Sequence, residues 1–125
     1  MDLGTLVKTD GLHRLELVHP ISDKPLGVTF EIRSYESKEV KDISREHADK
    51  FLGKQRPKLQ TAQLEAELLD KATTSIASWD WGENTLGDLD LEYSFENVRL
   101  VLDTHGWIYD QVSRASEDRG NFTSK

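Results

Sequence analysis

The chain has 125 residues, with 23 acidic and 16 basic side chains, a net charge of −7 and no cysteine. That length suits one compact domain and leaves no room for a second sizeable core, while the absence of thiols excludes a disulfide scaffold, thiolate zinc sites, iron–sulfur ligation and a cysteine nucleophile. No apolar run approaches the roughly 20 residues that span a bilayer, and Met1-Asp2-Leu3-Gly4 does not open a cationic signal peptide, so the expectation is a soluble chain that is not exported by the usual signal.

The charge is unevenly spread. Residues 1–71 hold 12 basic and 13 acidic side chains, whereas residues 72–125 hold 4 and 10, with no Lys or Arg between Ala72 and Val98. Such a surface repels phosphate backbones, because nucleic-acid affinity comes mainly from Lys and Arg displacing condensed counterions. Neither a nucleic acid nor a membrane is expected as a partner.

In chain order, about residues 1–10 lack periodicity and are expected to fray as a flexible tail or to pair as an edge. Leu12 to Val18 and Gly27 to Arg33 read as strands, the second the clearer because Val28, Phe30 and Ile32 alternate with Thr29, Glu31 and Arg33. Pro20 and Pro25 break the segment between them into a long hairpin loop. Ser34 and Ser37 each offer an N-cap oxygen to an amphipathic helix carrying Val40, Ile43, His47 and Phe51, with Gly53 as its stop. Gln55-Arg56-Pro57-Lys58 is a basic break. A second helix is expected from about Leu59 to Ser78 on the spacing of Leu64, Leu68, Ala72 and Ile76, ended by Trp79-Asp80-Trp81-Gly82. Gly82 to Tyr93 reads as an acidic loop, with room for a short hairpin. Ser94 caps a third helix with a Val98, Val101 and Leu102 stripe, and after Thr104-His105-Gly106 a final amphipathic segment carries Trp107, Ile108 and Val112. Residues 116–125 are expected as a second flexible tail. The fold class is therefore α+β and helix-dominated, an N-terminal antiparallel β-hairpin packed with three to four α-helices in a single domain covering residues 1–125.

Few constellations could carry chemistry. His13, His19, His47 and His105 are each alone in their elements, with no pair at the spacing that puts two imidazoles on one helix face, so no metal site is expected. His47 reads as a boundary residue of its helix and His105 as a turn residue. Asp80, Glu83, Asp88, Asp90 and Glu92 form the one acidic cluster, but their spacing does not match a calcium loop, and a solvated loop accounts for them. No serine sits in Gly-x-Ser-x-Gly, and no Gly-rich loop precedes Lys-Ser or Lys-Thr. No catalytic residue and no cofactor is expected. Phe51, Trp79, Trp81, Phe95, Trp107 and Phe122 remain, and two readings stand for them: closing the ends of a small core, or forming a partner-binding patch, since Trp is enriched at interface hot spots.

The C-terminal half has a recognisable order: Ile76-Ala77-Ser78-Trp79-Asp80-Trp81, an acidic Gly-containing loop, Tyr93-Ser94-Phe95-Glu96-Asn97-Val98, an apolar helix, Trp107-Ile108-Tyr109-Asp110-Gln111-Val112 and a closing Asn121-Phe122. Over about residues 60–125 this resembles the tail assembly chaperones of long-tailed bacteriophages and prophages. The resemblance implies a non-enzymatic chaperone, working in the bacterial host cytoplasm, that coats the tape measure protein and keeps it soluble before the tail tube forms around it. That family also makes a longer product by ribosomal frameshifting, which would place Gly120 to Lys125 near the junction. The implied partners are the tape measure protein, the tail tube protein and a further copy of the chain. The expected contacts are Trp79, Trp81, Phe95 and Trp107, with Asp80, Glu83, Asp88, Asp90 and Glu92 as a solubilising acidic rim. Two other readings compete: a small phage structural subunit such as a head–tail connector or tail component, and an enzyme using the acidic loop with a divalent metal.

Overall fold

The computed structural model describes Gly4, residues 6–51 and residues 57–123. The elements run β1 (Leu12–Val18), β2 (Pro25–Arg33), α1 (Lys38–Phe51), α2 (Pro57–Ser75), β3 (Ile76–Asp80), α3 (Phe95–Thr104), α4 (Gly106–Glu117) and a 3₁₀ turn (Arg119–Phe122). The three strands form one antiparallel sheet in the order β1-β2-β3. The fold is α+β, as the pattern of elements predicts. The stop expected at Gly53 and the Gln55-Arg56 part of the break lie outside the described residues, as does the side chain of Phe51.

The hairpin follows from its alternation. Leu17, Val28, Phe30 and Ile32 are buried, while Arg14, Glu16 and Glu31 are exposed on the opposite face. Leu15 lies across from Phe30. The connecting loop is organised by His19, whose Nδ1 accepts from the backbone N–H groups of Ile21 (3.1 Å) and Ser22 (3.2 Å). In that loop Asp23 occupies the left-handed region at φ 60°. The edge of β1 is capped by a side chain: Val18 N–H donates to Gln111 Oε1 (3.0 Å) and Gln111 Nε2 donates to Val18 O (2.9 Å), so one amide completes both halves of a ladder step.

One expectation fails here. Ile76 to Ser78 do not extend the second helix, and Trp79-Asp80 do not merely end it; together they form β3, the third strand of the sheet, which the reading of a lone hairpin lacks. Thr29 pairs with Asp80, Phe30 with Trp79, Glu31 with Ser78 and Ile32 with Ile76, leaving Ala77 outside the pairing. That bulge is the physical reason for the misreading. An extra residue lets both Ile76 and Trp79 face inward, which destroys the period-two signature of the strand and prolongs the helical spacing of α2.

The ends are also more structured than expected. Ser116 is buried in α4, and Asp118 Oδ1 accepts from Gly120 N–H (2.9 Å) to turn the chain. Phe122 is buried, meets His13 at 6.1 Å between ring centroids, and receives at its carbonyl the N–H of Lys8 (2.7 Å). Val7 bridges Thr123. The described parts of both expected tails thus belong to the fold, because a single aromatic, Phe122, gives an otherwise polar segment an apolar anchor.

Asp70, in the last two turns of α2, ties three helices together. Its Oδ2 lies 2.8 Å from His47 Nε2 on α1, and its Oδ1 accepts from Arg99 Nε on α3 at 2.7 Å. Asp70→Ala removes two charge-assisted contacts and is expected to lower the unfolding free energy by about 2–3 kcal/mol. The loss from Arg99→Ala should largely disappear in the Asp70→Ala background. Urea denaturation of the two single variants and the double variant checks both statements, and a loss below about 0.5 kcal/mol for Asp70→Ala would refute them.

Tyr35 generates a pH prediction. Its hydroxyl is buried with no hydrogen-bond partner among the described residues. Burial, reinforced by Tyr109 and Glu117, holds the phenol well above its usual value of 10.0. The folded state therefore keeps a proton that the unfolded chain releases, so the associated stability is intact below about pH 10 and declines above it, by at most about 1.4 kcal/mol per pH unit. Tyr35→Phe is expected to be as stable as the parent near neutral pH and to lose stability less steeply above about pH 10, as measured by denaturation at a series of pH values. Tyr109, shifted in the same direction, preserves part of the slope.

Candidate functional site

Trp79 and Trp81, two residues apart across the end of β3, point to the helix-covered side of the sheet. Their ring centroids lie 5.4 Å apart, and Phe30 of β2 sits 5.7 Å from Trp79 and 5.6 Å from Trp81. Tyr93 closes on Trp79 from the other side at 6.1 Å. Trp81 is only 9% exposed, and Trp79 is half-buried against the same core. Both indole Nε1 atoms are buried with no hydrogen-bond partner among the described residues. Trp81, expected as a partner contact, is turned inward and packs edge-on against Phe30.

Phe95 and Trp107 sit at the starts of α3 and α4. Phe95 is 49% exposed, whereas Trp107 is half-buried at the margin of the core. Ser94 sets Phe95 in place, its Oγ accepting from Asn97 N–H at 3.1 Å in the capping geometry that its position before the helix predicts. Asn97 Nδ2 then donates to Glu92 O (2.9 Å), fastening the helix to the loop before it.

Asp80, Glu83, Asp88, Asp90 and Glu92 are all exposed. Asp80 Oδ1 accepts from Gly82 N–H and Asp90 Oδ1 from Glu92 N–H, both at 2.9 Å, so two of the five organise turns. Among the described residues no three His, Asp or Glu side chains converge to hold a metal ion. Leu86, Leu89 and Leu91 pack inward between the acids, and Asn84 Nδ2 donates to Trp81 O (2.9 Å) and Leu26 O (3.1 Å), stitching the loop to the hairpin. Gly82 is required here. Its φ is 60°, and an added Cβ would lie 3.4 Å from the carbonyl oxygen of Gly27.

A second feature has no counterpart in the sequence reading. An open groove of about 490 Å³ runs between α2 and the α3–α4 junction, walled by Ala62, Ala66, Leu68, Leu69 and Leu102, with Glu65 and Asp103 at its margins. Leu64 and Leu68 are 55% and 37% exposed, and Leu100 is 48% exposed on α3. The signal in the sequence was an excess of leucine: α2 carries more apolar residues than one stripe can bury, and Leu100 lies outside the Val98, Val101 and Leu102 stripe.

The two classes of aromatic separate in a stability measurement. Trp81→Ala is expected to cost about 3–5 kcal/mol, while Phe95→Ala should cost less than about 1 kcal/mol. Comparable losses at the two positions would contradict the assignment of one to the core and the other to the surface.

No protein-family model matches the chain, and neither does any curated protein or solved structure.

Proposed function

We propose that this chain is a tail assembly chaperone of a long-tailed phage or prophage, a non-catalytic protein that holds the tape measure protein soluble in the host cytoplasm until the tail tube forms. The observation that carries the reading is a surface both apolar and acidic. Tyr93, Phe95 and Leu100 are each about half exposed, at 46%, 49% and 48%. The first two fall within the stretch from Ala72 to Val98 that holds no Lys or Arg. Exposed apolar side chains can cover the apolar stripes of a long helical partner, while the surrounding carboxylates keep the complex hydrated and discourage self-association. Phe95 remains a contact residue in this reading, Trp79 and Trp107 support it from the core margin, and Trp81 acts only through the core.

The residues that carry the family resemblance also have structural tasks. Tyr93 OH donates to Ile76 O (2.7 Å), Ser94 caps α3, Gln111 caps β1 and Phe122 anchors the terminus. The competing reading, a structural subunit such as a head–tail connector or tail component, predicts rings formed by the chain alone.

Co-expression with the tape measure protein from the same phage, followed by pull-down, is expected to retain that partner. Phe95→Ser combined with Leu100→Ser should lower retention by roughly tenfold, a difference of about 1.4 kcal/mol, with an unchanged circular dichroism spectrum. Absence of retention with the tag at either end would overturn the chaperone reading, and rings of the isolated chain in light scattering would favour the structural subunit.

A further inference from the structure

We infer that the groove between α2 and the α3–α4 junction is a seat for an amphipathic helix of another protein, one with a leucine- and alanine-type face flanked by Lys or Arg. The inference rests on the protein-binding reading above and names where a helix of the partner lies and what charge it carries.

The walls argue for a helix. The groove is lined by helices and so offers no strand edge to an extended peptide, and a groove between helices with leucine and alanine walls suits helix-in-groove recognition. Ala62 and Ala66, one turn apart on α2, allow a second backbone to approach closely, and Leu68 lies on the same wall. Gly106 opens the other side: a Cβ built there meets nothing within 4 Å.

The margins argue for the charge. Glu65 stands on α2 and Asp103 on α3, and neither has an ion-pair partner among the described residues. Arg99, the one cation lining the groove among the described residues, is already engaged with Asp70 at 2.7 Å. A partner with cations on both sides of its apolar stripe would meet a carboxylate on each wall. A second copy of this chain fits poorly. Its exposed apolar helix face, Leu64 and Leu68, carries Glu65 and Glu67 alongside, which would face Glu65 and Asp103 with like charge.

The test uses two synthetic helical peptides of about 16 residues, long enough to hold helix on a surface, sharing one Leu/Ala face and differing only in Lys or Glu on the flanks. Calorimetry and amide chemical-shift mapping on the full chain should show the Lys peptide binding at least about tenfold more tightly than its Glu twin, with shifts on α2, α3 and the start of α4. Gly106→Phe fills the groove where the fold leaves space and should weaken binding by about tenfold or more, whereas Gly106→Ala should not. Asp103→Lys should narrow the preference between the two peptides. Equal binding of both peptides, shifts confined to other faces, no binding, or indifference to Gly106→Phe would each overturn the inference. Co-expression separates it from the broader reading: a Gly106→Phe variant that retains the tape measure protein fully would remove the groove and leave the chaperone standing. Failure of the wild-type chain to retain that protein would remove the chaperone, and peptide binding would still establish the groove.

Discussion

No loop separates α2 from β3. Ser75 ends the helix and Ile76 begins the strand, so whatever orients one orients the other. Such a junction exposes the last carbonyls of the helix, which ordinarily need a turn residue or water. Here side chains supply the donors. Ser75 Oγ donates to Ala72 O (2.6 Å) and Arg33 Nη1 to Thr74 O (2.7 Å), while Thr73 Oγ1 back-bonds to Leu69 O (2.8 Å) within the preceding turn. Hydroxyls that would weaken the middle of a helix are well placed at its end, where their local bonds replace the missing turn. Arg33 comes from β2 and sets a cation at the helix C-terminus, where the dipole favours it. The central strand, the third strand and the long helix are therefore joined at one point, and Asp70, one turn earlier, holds that helix to α1 and α3.

This junction determines where the other parts lie. With β3 fixed against β2, Trp79 falls opposite Phe30 and Trp81 follows into the core. The acidic loop then returns along the sheet, its leucines inward, and Tyr93 reaches back to the carbonyl of Ile76, the first residue after the junction. From there α3 has only one course, beside α2, where Arg99 meets Asp70. The groove between α2 and the α3–α4 junction is the space that the short side chains of Ala62 and Ala66, with Gly106 opposite, do not fill.

What the sequence makes legible follows from how local each signal is. The alternation of Val28, Phe30 and Ile32 and the Ser94 cap depend on neighbours within a few residues, and β2 and α3 lie where those residues predict. The third strand depends on a bulge and on pairing with a strand more than forty residues away, and its inward residues Ile76, Trp79 and Trp81 match no single period. The terminal segment looks polar because one aromatic anchors it, and no periodicity exists over so short a run. For the site, the acids were legible as exposed because they alternate with leucines. The orientation of the tryptophans was not, since a half-buried indole and a surface indole have the same neighbours in sequence. The groove is a product of two helices packed at a distance, invisible from either alone.

The charge asymmetry takes on a sharper meaning in three dimensions. Among the described residues, the ion pairs made by cations of the second half go to acids of the first: Arg99 to Asp70 and Arg119 to Glu36. The cations Arg33 and Arg45 of the first half pair with Glu39 and Asp42 nearby in sequence. Among the ion pairs of the described residues, cations of residues 72–125 neutralise acids of residues 1–71 and none runs the other way, so the acids of the loop and Asp103 are left without an ion-pair partner. Two lone carboxylates could be accommodated by water at little cost. A whole face of them raises the local potential and persists in a stable fold only because the sheet and helices beneath are held by contacts that do not use those groups. A partner that carries cations beside an apolar surface would be attracted to such a face by charge complementarity.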